Sequence, residues 1–541
     1  MHINELDYIE TTDDLLDRAV RLHKNHVAIR YIKKNKVVEK SYIDLRRDVN
    51  KVSSYLREIL SQGSNIAILG NISYAWIVTY YAIMSSGMVV VPIDSAIDYR
   101  DMVDIIQRTN IRMTVFSTEM ENKIQIIKEK NSECKYYMTF EKGEYCSVAE
   151  LIKETKDIEL MPTILKKDSI ATIVYTSGTT GKSKGVVLTQ GNLCDNVVYS
   201  CKVVADTPER TCTVPILPPH HMFEITTNIQ GPIYEGYPIC IGEDPKFIFE
   251  SINLFKPSIL IGVPSVLYLI HKKIWMYAKQ YSLDEELMYK IRIAKQLLGR
   301  GVDVRRELFE DIHEMLGGKL TTIVCGGASI EPDVINEFNI FGITIINGYG
   351  ITECSPVVCG NKCTHINAES VGKIDEEFCK VKILDDEILV SGKNVMKEYY
   401  NDEEATREAF VDGYFKTGDI GYIKDGFLYI TGRKKNLIIL GNGENVSPEE
   451  LEGIYGQIIG VEEIQVSSKI NQFKKEQLAA EVFVNYDVID ITDKSIESYL
   501  QEEFDKINER LPQHKRVHII DIRDTPFEKT ALGKIKREMI N

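Results

Sequence analysis

The sequence predicts an α/β protein of more than one domain, and three observations carry that expectation. First, short runs made almost wholly of apolar, often β-branched residues alternate with segments of helical spacing. Residues 65–69 read as a strand, 74–84 as a helix and 88–91 as a strand, and 101–107 with 113–116 repeat the alternation. Strands without a polar face belong in parallel sheets covered by helices on both sides. Second, 541 residues exceed what one hydrophobic core usually serves, so two domains are expected. Third, the apolar run 170–174 leads directly into Tyr175-Thr176-Ser177-Gly178-Thr179-Thr180-Gly181-Lys182-Ser183-Lys184-Gly185. Loops beyond the carboxyl ends of parallel strands are where such folds bind ligands.

The remaining elements follow in order. Residues 41–60 carry apolar positions at helical spacing ahead of the first strand. The uncharged stretch 65–93 is long enough to span a bilayer. Ser85-Ser86-Gly87 breaks it and Val89-Val90-Val91 ends at Pro92, so it reads as strand, helix, turn and strand. Residues 256–265 read as a strand and turn, 271–316 as a long helical stretch with charge at exposed spacing, and 322–328 as a strand opening into a glycine turn at Gly326 and Gly327. Pro332 near a helix start and the strand 343–346 complete this part.

Composition narrows the function classes. A net charge of −15 argues against nucleic acid or an anionic membrane as the main partner, so a polyanionic ligand must meet local positive charge. The eleven cysteines lack paired Cys-x-x-Cys spacing and the first residues form neither a basic nor an apolar leader, which points to reduced thiols and a cytoplasmic location. Cys359 and Cys363 have the wrong intervals for a zinc finger.

Seven segments carry chemistry. In the 175–185 loop, glycines admit backbone N–H groups, hydroxyls donate and lysines neutralise, which suits a polyphosphate; the bland alternative is a surface turn. A P-loop is excluded because Thr176 stands where its first glycine would be. Leu217-Pro218-Pro219-His220-His221-Met222-Phe223-Glu224 places two histidines and an acid among prolines; His220 reads as a capped polar group in a turn. In Asn347-Gly348-Tyr349-Gly350-Ile351-Thr352-Glu353, Tyr349 is a plane on which adenine can stack, Gly350 allows close backbone approach, Thr352 can donate to phosphate, and Glu353 offers a hard oxygen for Mg²⁺ or a helix-capping carboxylate. Asp419, in Thr417-Gly418-Asp419, is an apt acceptor for ribose hydroxyls, and Arg433 follows in Thr431-Gly432-Arg433-Lys434-Lys435. Near the end, Ser447 with Glu450 reads as a capping box, and Lys529-Thr530-Ala531-Leu532-Gly533-Lys534-Ile535-Lys536-Arg537 as a solvated basic face.

Taken together these segments resemble, in order, the motifs of the adenylate-forming superfamily of acyl- and aryl-CoA ligases, amino-acid adenylation domains and beetle luciferases. The resemblance runs from about Tyr42 to Arg537, with Ser183 standing where the first motif usually has proline and Pro219 departing from the histidine motif. It implies ATP, Mg²⁺ and CoA as cofactors. Thr176, Ser177, Gly178, Thr179, Thr180, Gly181, Lys184, Gly327, Tyr349, Gly350, Thr352, Asp419 and Arg433 would bind the nucleotide, with Mg²⁺ on Glu353 and Thr176. Lys184 would hold the β- and γ-phosphates, His221 would lie beside the acyl carboxylate, and Lys534 would neutralise charge near the α-phosphate.

The same resemblance implies a large multi-subdomain N-terminal domain, residues 1–434, with parallel-type sheets, and a small α+β C-terminal lid, residues 435–541. The lid would turn at Lys435, exchanging Lys534 for the pantetheine loop of Gly443 and Glu444. The histidine motif is similar to that of fatty acyl-CoA ligases, and Thr213-Val214-Pro215-Ile216 offers no acid for a substrate amine. The expected reaction is activation of a medium- or long-chain fatty acid to acyl-AMP and transfer to CoA. The alternatives are an aryl or other carboxylate-CoA ligase and delivery to an acyl carrier protein. Neither nucleic acid nor a transmembrane segment is expected.

Overall fold

The computed structural model describes residues 8–130, 133–157, 163–176, 183–208, 210–244, 247–440, 444–470, 476–486, 489, 495–529, 535 and 537. The expected site residues Ser177, Gly178, Thr179, Thr180, Gly181, Gly443 and Lys534 lie outside these residues.

The uncharged 65–93 stretch folds as strand Asn65–Leu69, helix Tyr74–Ser85 and strand Val89–Ile93. The helix is apolar all round and buried on every side, which is how such a helix satisfies itself in a large protein. Among the described residues no helix is long and apolar enough to cross a membrane. The two strands sit inside a seven-stranded sheet in which Asn65–Leu69 pairs in parallel with Val89–Ile93 on one side and Ile111–Phe116 on the other. Tyr136–Thr139 extends it in parallel and Ile170–Thr176 joins beyond Val89–Ile93. Pro92, which has no N–H to donate, faces Ile68, while the pairing of its strand with Ile170–Thr176 is confined to Val90 and Thr172.

The sheet departs from pure parallel order where the 175–185 loop attaches. Lys184–Thr189 returns antiparallel to Ile170–Thr176, with Thr176 opposite Lys184. The helix Gln190–Val203 follows only after that return strand. Glu398–Tyr399 adds the outermost antiparallel strand on Lys184–Thr189, carrying a distant part of the chain to this strand pair.

A second sheet runs Ile259–Gly262, Thr322–Cys325 and Thr344–Gly350 in parallel, closed by antiparallel Val357–Gly360. The long helical stretch expected over 271–316 is four helices, Pro264–Gln280, Asp284–Leu298, Arg305–Leu308 and Glu310–Met315. It breaks beside Ser282 (φ 55°) and Gly301 (φ 78°), left-handed positions that interrupt any helix. An antiparallel sheet centred on Tyr414–Lys424 pairs with Phe427–Arg433 and brings Asp419 opposite Arg433.

Beyond it, Val461–Ile470, Glu476–Val484 and Val517–Arg523 form a separate sheet with helices Pro448–Tyr455 and Ile496–Asn508 and its own apolar core, in which Tyr455 stacks on Phe504. Ser447 stands at the N-cap of Pro448–Tyr455, but the expected capping box is absent. Its hydroxyl donates to Glu449 at 3.1 Å instead of accepting from the first turn. The basic end is likewise no free solvated face, since Arg537 bonds Glu452 at 2.5 Å and the Val466 carbonyl at 3.2 Å, and Lys529 pairs with Glu463. All eleven cysteines are free thiols.

Candidate active site

Strand ends from both large sheets converge with the Tyr414–Lys424 and Phe427–Arg433 pair. Tyr349, at the end of Thr344–Gly350, donates its hydroxyl to Asp419 Oδ2 at 2.6 Å, and Arg433 Nε lies 2.8 Å from Asp419 Oδ1. Asp419 is 3% exposed, so its charge is held by these two partners, each oxygen keeping a further lone pair for a ligand. Burial and the Asp419 charge together drive the Tyr349 phenol well above its ordinary range, leaving it a donor at any working pH. Gly418 (φ 71°) makes the left-handed turn that aims Asp419, and its N–H donates to Glu387 Oε1 at 3.0 Å.

One residue of this segment also serves the protein's own backbone. A Cβ at Gly350 would collide with the Pro356 carbonyl, which accepts from the Ile351 N–H at 2.9 Å. Its missing side chain therefore admits the protein's own backbone and needs no ligand to explain it. Gly327 (φ 86°) is the left-handed turn after Thr322–Cys325, and Thr352 opens the short 3₁₀ turn that carries Glu353.

Glu353 is fixed from two directions. Its carbonyl accepts from Met396 N at 2.7 Å, and its Oε1 accepts from the Tyr399 hydroxyl at 3.0 Å. Burial raises its pKa above the usual carboxylate range, and Arg433 and Asp419 are near enough to act on its charge. Lys184 Nζ stands 4.9 Å from the centre of the Tyr399 ring, a cation–π distance. The structure thus brings Thr176, Lys184, Tyr399 and Glu353 to one place. Tyr399 was not legible from sequence, because its role depends on the pairing of Glu398–Tyr399 with Lys184–Thr189. A partly buried carboxylate oxygen and the Thr176 hydroxyl are hard donors suited to Mg²⁺, which takes one or two protein oxygens and fills its shell with phosphate and water.

The 217–224 segment is organised by Glu224 more than by its histidines. Glu224 is fully buried at the start of a π-helix, Glu224–Gln230, and accepts from Asn228 Nδ2 at 3.1 and 3.3 Å and from the backbone N–H groups of Ile216 and Leu217. Thr213 in turn donates to Asn228 at 2.5 Å. This network clamps the loop bearing His221, whose own N–H donates to the Pro218 carbonyl at 3.1 Å and whose ring lies 4.1 Å from that of His220. His220 faces Asp94 at 3.8 Å, and burial lowers its pKa to about 4, so it is neutral, as a polar group in a turn should be.

Burial pushes the Glu224 pKa to about 8. An exposed glutamate gives up its proton near the usual carboxylate range whereas the folded one keeps it to about 8. The stability tied to this group is therefore complete at acid pH and lost as pH rises through that window. Glu224→Gln fills the same space without titrating, so wild-type melting temperature should fall between pH 5 and 8 relative to the variant. Parallel profiles would reject this assignment.

An apolar cavity of about 90 Å³ opens from this place. Gly327, Tyr349 and Gly350 line one part and Phe223 another, with Ile259, Ile261 and Ile346 along the second sheet. Toward the C-terminal part, Lys435 is exposed beside Arg433, and Glu444 pairs with His514 at 3.4 Å. Asn436 bonds Glu449.

Residues 16–400 match the family described as AMP-binding enzyme. The chain belongs to the AMP-binding enzyme family. Among curated relatives, peroxisomal long chain acyl-CoA synthetase 7 of Arabidopsis thaliana is 33% identical over 320 residues, covering 54% of this chain and 45% of that protein. The long-chain-fatty-acid--CoA ligase FadD15 of Mycobacterium bovis is 29% identical over 428 residues, covering 72% of this chain and 68% of that one. The matches thus span from about half to two thirds of these relatives' lengths. Among solved structures, the anthranilate CoA ligase AuaEII in complex with anthranoyl-AMP superposes over 99% of this chain and 97% of its own, with a TM-score of 0.81 and 20% identity. That likeness establishes the shared fold.

Proposed function

We propose that this protein activates a medium- or long-chain fatty acid with ATP, forming acyl-AMP and pyrophosphate, and passes the acyl group to the thiol of CoA. The observation that carries the reading is the apolar cavity whose lining includes Tyr349, the residue bonded to Asp419. An apolar chain has somewhere to lie while its carboxylate end stays beside the nucleotide residues.

In the first half-reaction a carboxylate oxygen attacks the α-phosphorus and the bond to pyrophosphate breaks; in the second the thiol sulfur attacks the acyl carbon and AMP leaves. The protein's contribution to the first is positioning and charge stabilisation. Asp419 accepts from the ribose hydroxyls, Lys184 and the loop 177–181 hold the outer phosphates, and His221 orients the acyl carboxylate. Lys534 neutralises charge at the α-phosphate from a segment whose neighbours Lys529 and Arg537 are tied to the C-terminal sheet. Mg²⁺ bound by Glu353 and Thr176 would supply charge stabilisation at the phosphates.

We assign residues 1–434 to the adenylating unit and 435–541 to a smaller unit that turns at Lys435, a division favoured by the separate core around Leu451, Phe504 and Val517. Turning exchanges Lys534 for Gly443 and Glu444 at the site.

Pyrophosphate exchange over straight-chain acids, benzoate and amino acids, followed by thioester formation with and without CoA, tests the proposal. Each methylene buried in an apolar cavity contributes about 0.8 kcal/mol, so straight-chain acids of about eight carbons or more should far exceed acetate. Preference for acetate, benzoate or an amino acid rejects the fatty-acid reading.

A further inference from the structure

One face of the helical segment 224–235 forms a wall of the cavity. Phe223, Thr227, Gly231 and Glu235 recur every fourth residue and all line it. Phe223 is two residues from His221, and Glu235 closes the helix Gly231–Glu235. With the α-helical rise of about 1.5 Å as the upper limit, the twelve steps from Phe223 to Glu235 put the two ends of this wall at most roughly 18 Å apart. Two other elements give the same direction. The helix Gln190–Val203 bonds Cys354 and Val357 carbonyls through Asn196, near Glu353, and lines the cavity further on through Val203. Strand Ile259–Gly262 reaches the nucleotide end with Gly262, beside Cys325, and lines the cavity through Ile261 and Ile259, going backward.

At the Glu235 end the lining carries a carboxylate that is ion-paired to Arg210 behind it. Glu235 Oε1 lies 2.9 Å from Arg210 Nη2, both side chains largely buried at 14% and 18% exposure. Arg210 Nη1 is committed to the Val204 carbonyl at 2.9 Å. The second carboxylate oxygen, Oε2, is buried with no hydrogen-bond partner among the described residues. Taking a charged pair out of water is costly, and a glutamate at a helix C-terminus also opposes the helix dipole. A plain apolar end would pack such a cavity without that cost.

We propose that the Glu235–Arg210 pair is the end wall of the acyl cavity and sets the longest alkyl chain the enzyme activates. This rests on the fatty-acid reading above. A terminal methyl pressed against the pair displaces whatever solvates it and gives no hydrogen bond in return. A terminal hydroxyl can donate to the carboxylate. Chains short of the wall gain about fourfold per buried methylene, and the gain reverses once the wall is reached.

The test is kcat/KM for adenylation, read by pyrophosphate exchange, over straight-chain acids lengthened one carbon at a time. It is run for the wild type, the Arg210→Met/Glu235→Leu double variant and Glu235→Gln. The optimum of the double variant should move to longer acids with shorter acids little changed, while Glu235→Gln, still polar, keeps the wild-type optimum. In the wild type alone, an ω-hydroxy acid one carbon past the limit should be activated better than the unsubstituted acid of equal length.

An unmoved optimum, a uniform loss at every length, or a preference for the unsubstituted acid would each overturn the wall and leave the fatty-acid reading standing. If the double variant does not fold, the wild-type comparison decides. A wild type inert toward every straight-chain acid would instead overturn the fatty-acid reading, and the wall with it.

Discussion

Replacing Glu353 by Gln should lower acyl-adenylate formation about 10²–10³-fold, the usual loss when one group that stabilises developing charge is removed. The substitution is nearly isosteric, and the Gln carbonyl can still accept from the Tyr399 hydroxyl that now bonds Oε1 at 3.0 Å. The Met396 N–H bond goes to the Glu353 backbone and is untouched. Folding should therefore survive, and what is lost is a negative charge close to Arg433 and Asp419. Two measurements separate this from a general weakening. The Mg²⁺ concentration giving half-maximal pyrophosphate exchange should rise in the variant, and its melting temperature should stay within a few degrees of wild type. Unchanged Mg²⁺ dependence together with full activity would remove Glu353 from the metal role. Tyr399→Phe provides the milder companion, since it deletes only the hydroxyl that orients the carboxylate.

Much of this architecture was legible because its strands are short apolar runs whose faces need no partner to be recognised. The 65–93 stretch is the clear case. Its breaks at Ser85-Ser86-Gly87 and at Pro92 predicted strand, helix and strand, and helix Tyr74–Ser85 with its two flanking strands follows that pattern. What escaped the sequence depends on pairing between distant residues. The antiparallel return of Lys184–Thr189 is set by register with Ile170–Thr176, and nothing local distinguishes it from a strand entering a parallel sheet. The break at Ser282 required a left-handed serine, which no composition rule singles out.

The site divides along the same line. Residues expected to touch a ligand through their own side chain sit in compact motifs, and Tyr349, Asp419 and Arg433 are brought together as one hydrogen-bonded group. Residues that act by holding others leave little local signal. Tyr399 reaches Glu353 from 46 positions away. In the sequence Glu224 reads only as the acid that ends the histidine motif, yet it fastens the His221 loop through Asn228 and two backbone N–H groups. Gly350, which the sequence reads as allowing close approach of a ligand, also admits the Pro356 carbonyl, a contact visible only once Val357–Gly360 folds back on Thr344–Gly350.

Asp419 tests how far that hydrogen-bonded group serves the nucleotide and how far it serves the fold. Asp419→Ala takes the acceptor from the buried Tyr349 hydroxyl, which should cost about 1–3 kcal/mol of stability. Arg433 contributes less to that loss, because at 43% exposure its guanidinium can turn to water. Asp419→Asn keeps an acceptor for Tyr349 and should recover most of the stability while still lacking the charge. The catalytic loss should not follow this recovery. Hydrogen bonds from a ribose to a carboxylate are worth about 1.5–3 kcal/mol each, so the KM for ATP should rise roughly 10- to 150-fold per bond in the Ala variant. The decisive comparison is ATP against 2′,3′-dideoxy-ATP. Wild type should discriminate strongly between them, Asp419→Ala should treat them almost alike, and Asp419→Asn should lie between. If both variants discriminate as wild type does, the ribose is held elsewhere and Asp419 acts only to fix Tyr349 and Arg433.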